Sequence, residues 1–118
     1  MTGYVTNIER DTIANEDYRR VLYTGQFTQL VLMTLAPGVE IGLETHDGHD
    51  QFIRVEEGTG VAIIAGEKHT LSDGSAVVIP AGAEHNVINT SSEPLRLYTL
   101  YSPPEHPDGL VQATKADE

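Results

Sequence analysis

Gly74-Ser75-Ala76-Val77-Val78-Ile79-Pro80-Ala81-Gly82-Ala83-Glu84-His85-Asn86-Val87-Ile88-Asn89 holds two short β-prone runs hinged on a proline and a glycine. Residues 76–79 are small or β-branched and apolar, as a strand requires. Pro80-Ala81-Gly82 then stops the run with turn chemistry. His85 opens the next run, 85–89, and at the start of a strand its side chain can face the interior.

The same rhythm extends in both directions. Runs at 18–23, 27–35, 39–45, 51–56, 60–65, 68–71 and 95–101 are β-prone and stop at Thr24-Gly25, Pro37-Gly38, Asp47-Gly48, Gly58, Gly66-Glu67 and Asp73-Gly74. About nine strands with turn signals roughly 8–12 residues apart predict an all-β sandwich or barrel. No stretch sustains a 3.6-residue period, so the crossover helices of a parallel sheet are missing and the sheets are expected to be antiparallel. Residues 1–17 are polar and mixed, with room for one short helix. After Ser102, Pro103-Pro104-Glu105-His106-Pro107 argues against regular structure. The expected organisation is therefore an arm at 1–25, whose β-prone run 18–23 could pair with a partner subunit's sheet edge, a barrel at 26–101 and a tail at 102–118.

The 118 residues suffice for one core and one domain. The longest apolar runs fall far short of the ~20 residues that span a bilayer. Met1-Thr2-Gly3-Tyr4-Val5-Thr6-Asn7 lacks the basic and apolar parts of a secretory leader, and cysteine is absent. Both suit the cytoplasm. Seven Lys and Arg against 18 Asp and Glu leave a charge of −11, which disfavours nucleic acid and anionic membrane as partners. Small molecules remain, because a cation inside a pocket can outweigh the global field.

A second segment carries chemistry: Gly42-Leu43-Glu44-Thr45-His46-Asp47-Gly48-His49-Asp50-Gln51. Residues two apart on a strand share a face, so Glu44 and His46 point together. Gln51 begins the next strand after a tight turn, which brings it back beside that pair.

Here the chain resembles the cupin superfamily. Gly74, Pro80, Gly82, His85 and Asn89 match the second cupin motif, Gly-x5-Pro-x-Gly-x2-His-x3-Asn, without a gap. The first motif keeps its spacing through Glu44, His46, Gln51 and Gly58, but Glu44 stands where the family has its first His and Gln51 where it has Glu. The resemblance covers about residues 26–101. It implies a jelly-roll (double-stranded β-helix) barrel, one divalent metal inside it on Glu44, His46, Gln51 and His85, and a homodimer. It does not imply a reaction, since one fold hosts many.

Two imidazoles, one carboxylate and one amide oxygen suit Fe, Mn, Zn, Ni or Co. With one anionic ligand the site keeps positive charge and acts as a Lewis acid. The set is similar to that of cupin-type phosphomannose isomerases, although the Glu and Gln sit in different places there. The expected function is a metalloenzyme acting on a small organic molecule, by oxygenase-type or isomerase-type chemistry, with Glu44 as the candidate base. The alternative is a small-molecule-binding module without turnover. His49, His69 and His106 are expected in solvent, His106 unless the tail closes over the barrel mouth. Phe27, Met33, Phe52, Tyr98 and Tyr101 are expected in the core or wall, and residues 115–118 are expected to fray.

Overall fold

The computed structural model describes residues 2–118. A short helix, α1 (Ile8–Ala14), begins where the Asn7 side chain accepts a hydrogen bond from the Arg10 amide at 3.0 Å. Nine strands follow: β1 (Arg19–Thr24), β2 (Gln29–Leu35), β3 (Asp50–Glu57), β4 (Gly60–Ile64), β5 (Glu67–Leu71), β6 (Ala76–Ile79), β7 (His85–Ile88), β8 (Leu95–Ser102) and β9 (Val111–Gln112). A single 3-10 turn, η1 (Lys115–Asp117), closes the chain. No helix is long and apolar enough to cross a membrane among the described residues.

All strand pairs are antiparallel. One sheet has the order β6-β3-β8-β2-β1-β9 and the other β5-β4-β7. This is the all-β architecture expected from strand spacing, in the jelly-roll form that the cupin resemblance implies. Period-two alternation fills the space between the sheets: Leu95, Leu97, Thr99 and Tyr101 of β8 turn inward, as do Gln51, Ile53 and Val55 of β3 and Val31, Met33 and Leu35 of β2. The polar members of this set, Gln51, Thr99 and Tyr101, are displaced toward one end, which becomes the site.

Three expectations need correction. Residues 39–45 do not form a regular strand. They run beside β7 as two isolated bridges, Glu40 to Ile88 and Glu44 to His85, because Gly42 takes φ +112° between them. The stretch 102–118 is not free of regular structure. β9 pairs with β1, Arg19 opposite Gln112, and Glu118 is tied to Lys115, Arg19 and Tyr18. Prolines fill 103–107 only, so the chain beyond them is free to pair. Phe27 is neither core nor wall: it lies in the turn between β1 and β2 and is 73% exposed.

The arm residues 19–24 pair within this chain, with β2 on one side and β9 on the other. The terminal strands are β6 and β9 in the larger sheet and β5 and β7 in the smaller, with β7 flanked by the bridges to Glu40 and Glu44.

Candidate metal centre

Backbone hydrogen bonds splice the two motif segments together. Glu44 and His85 exchange both main-chain bonds, each 2.9 Å, and Gly42 N–H donates to Asn86 Oδ1 at 2.8 Å. The turn 80–82 is tied to the loop after His46: Gly82 N–H donates to the His46 carbonyl and Ala81 N–H to Asp50 Oδ1, both at 2.8 Å. Residues some forty positions apart thus open onto one end of the barrel.

Alternation survives at 43–46 despite the broken strand. Leu43 and Thr45 are exposed, whereas Glu44 and His46 turn inward, with Glu44 Oε2 3.0 Å from His46 Nε2. The His46 ring lies 5.3 Å, centroid to centroid, from the His85 ring and 4.5 Å from that of His49. The buried Gln51 amide donates from Nε2 to Thr99 Oγ1 at 3.0 Å. Tyr101 forms the floor, edge-on to His49 at 5.4 Å and to His46 at 6.5 Å.

The sequence reading missed two participants. His49 is buried, not solvated, and its Nδ1 lies 3.1 Å from Glu105 Oε2. His46, His49 and Glu105 offer ligand atoms all within 4.8 Å of one another. A signal for His49 existed: it stands two residues before Gln51 and so shares its face as β3 begins. Glu105 had none, since it arrives only because the tail folds back. The same closure half-buries His106, whose ring meets Tyr101 edge-on at 5.0 Å. His69 is exposed on β5.

The Cupin domain family matches residues 31–101. The chain belongs to the cupin family. This cupin is 48% identical over 120 residues to the uncharacterized protein YrkC of Bacillus subtilis, covering 97% of the chain and 64% of that relative. It is 44% identical to protein L612 of Acanthamoeba polyphaga mimivirus, over 95% of the chain and 72% of the viral protein. The chain therefore spans about two thirds of the length of these relatives. Among solved structures, BH2720 of Bacillus halodurans is similar at 44% identity and a TM-score of 0.96, covering 98% of this cupin and 92% of that chain.

The side chains of this cupin suit a cation that takes nitrogen and oxygen donors. His85 Nδ1 lies 3.0 Å from the Ala83 carbonyl, a contact that fits N–H donation and leaves Nε2 with its lone pair. The Glu105 contact orients His49 in the same way, and His49 Nε2 is buried without a partner. Gln51 Oε1 is likewise buried and unpartnered, while the amide nitrogen donates to Thr99. A buried acceptor without a donor is unfavourable by about 1–3 kcal/mol, and a bound cation removes that penalty. Burial lowers the His49 pKa, partly offset by Glu105, so the imidazole is neutral at neutral pH. Burial also raises the Tyr101 hydroxyl, which stays protonated.

Proposed function

We propose that this cupin holds one divalent cation of the Fe, Mn, Zn, Ni or Co type inside its barrel, on His46, His85, Glu44 and Gln51 with His49 as a further imidazole, and acts on a small organic molecule. The observation that carries this reading is the convergence of three imidazoles with the unpartnered Gln51 Oε1 and His49 Nε2 at one end of the barrel. When bound, such an ion supplies Lewis acidity, and in the case of iron or manganese redox capacity as well.

The chain's own residues supply the rest. Glu44, hydrogen-bonded to His46, is one candidate base, and the His49–Glu105 pair is a second route for a proton at His49. The Tyr101 hydroxyl stays protonated and can donate to an oxygen of the bound molecule. The tail residues Glu105 and His106 narrow access from water. Isomerase-type proton transfer and oxygenase-type chemistry both fit this arrangement.

A second reading, a binding module without turnover, is favoured by one observation. Glu44 and Glu105 are each already paired, with His46 and His49, so either carboxylate must leave its histidine before it can take a proton from a bound molecule.

Elemental analysis of protein purified without a metal-affinity tag tests the site, with about one equivalent of a transition metal expected. Oxygen uptake and product formation on a metabolite panel then separate the chemistries, and a saturable ligand response without product selects the binding module. Metal-free protein that takes up no divalent ion on titration would overturn the metal reading.

A further inference from the structure

Arg19 is the only Arg or Lys buried among the described residues, at 4% exposure. It turns inward from β1, as Val21 does. Its Nη1 donates to Gln112 Oε1 at 2.5 Å, and Nη1 and Nη2 both reach one oxygen, Oε2, of Glu118 at 3.3 Å. Nε is buried with no partner. Against the upward push of burial on the Tyr101 hydroxyl, the charge of the guanidinium acts to lower its pKa, and Tyr101 is the residue that floors the imidazole cluster.

We propose that Arg19 docks a carboxylate of a small organic acid and that the Glu118 side chain occupies this subsite as an internal stand-in, displaced when the ligand enters; this deepens the metal-site reading, on which it rests for the ligand's other end. A guanidinium matched to its carboxylate makes two parallel bonds of about 2.7–2.9 Å, one to each oxygen. Glu118 instead offers a single oxygen at 3.3 Å, while its Oε1 is held by Lys115. The fork is thus filled but poorly matched, and Nε is left over. A free carboxylate that replaces Glu118 can set one oxygen against each Nη and so use the fork fully.

Access is available on the Glu118 side, where that side chain is 38% exposed. Glu118 is also held by the Tyr18 hydroxyl and by Lys115, groups that remain when it swings away. Tyr101 spans the gap between Arg19 and the histidines, so a short acid seated on Arg19 runs along its ring toward His49 and His46. Arg19, Lys115 and a divalent ion together outweigh Glu44, Glu105 and Glu118, and the surplus grows when Glu118 leaves. An anion is therefore the favoured guest despite the chain's overall charge.

The test titrates succinate, and its neutral diamide as control, into metal-free and Mn(II)-loaded protein by calorimetry, with Mn(II) affinity measured separately. Succinate is expected to bind and the diamide not. Glu118→Gln, which removes the competitor, should tighten succinate by about tenfold. The same variant should melt at a lower temperature than wild type, with succinate restoring the loss. Arg19→Gln should lose succinate by at least about tenfold while keeping its Mn(II) affinity, and Arg19→Lys should fall between. Equal succinate affinity in wild type and Glu118→Gln would overturn the proposal, as would undiminished binding in a folded Arg19→Gln. Should Arg19→Gln fail to fold by circular dichroism, the Glu118→Gln comparison decides alone. Succinate binding through Arg19 in protein that takes up no metal would sink the metal reading and leave this one standing. Mn(II) uptake with no succinate binding would do the reverse.

Discussion

Gln51 is held by a single contact. Thr99 takes its amide nitrogen and leaves its oxygen facing the site. An amide oxygen is nevertheless a weak neutral donor that water replaces, whereas His85 is the only proposed ligand from the second motif and locks two distant segments onto one ion. We expect His85→Ala to abolish metal binding, Gln51→Ala to weaken it by about tenfold and Glu44→Gln to fall between, as read by metal content after dialysis against a graded chelator. Unchanged metal in His85→Ala would move the site to His46, His49 and Glu105. Asn89, the last residue of the second motif, has a structural task. Its Nδ2 donates to the carbonyls of Leu35 and Glu93 at 2.9 and 2.7 Å, and its Oδ1 accepts from Ser91, all without solvent exposure. Asn89→Ala strands those buried groups and should lower stability by about 2–3 kcal/mol in urea titration without changing metal affinity. The pairing of Glu44 with His46 was legible in the sequence because it follows from period-two alternation. The Glu105 contact was not, because it depends on the tail folding back across a separation of 56 residues from His49.

Strand boundaries were legible to within a residue or two because nearly every run ends at a Gly, Pro or Asp-Gly turn. The β4–β5 hairpin shows why: Ala65 and Gly66 take φ of 49° and 82°, the two left-handed positions of a tight type I′ turn. Segment 39–45 was read too regularly because one glycine inside a β-prone run looks like any other until its φ is known. β9 was missed because two residues carry no periodicity, and only the unpaired edge of β1 gives them a reason to be a strand. Gly58, in the first motif, adopts φ +114°, and a Cβ there would lie 2.7 Å from the Pro94 carbonyl oxygen. Both the dihedral and the clash oppose any side chain. Gly58→Ala should therefore destabilise the fold by about 2–3 kcal/mol, a loss visible as a lower melting temperature.

At the scale of the molecule, acid should loosen the tail before the barrel. Burial, with Arg19 adding to it, lowers the His106 pKa from 6.5 to about 4. The unfolded chain therefore takes up a proton between those values that the folded chain refuses. That contribution to stability is present above pH 6.5 and is lost as pH falls toward 4. Metal-free protein should melt progressively lower across that window, and His106→Gln should flatten the slope in a pH series of thermal melts; a slope unchanged by the substitution would refute this. The free edges of β5 and β6 leave room for a second copy, and we propose a homodimer. Sedimentation at about tens of micromolar showing only monomer would refute it.

The meeting of β1 with β9 also has a consequence for how the protein is made. Arg19 and Gln112 are separated by 93 positions. At about 5–20 residues per second, roughly 5–20 s of translation pass before Gln112 exists to receive that guanidinium. Throughout that interval the nascent chain carries a cation destined for the interior with no counterpart yet synthesised. Hairpins such as β4–β5 and β1–β2 can form on the ribosome as they emerge, but the outer edge of the first strand must wait for the last, and Arg19 is covered only then.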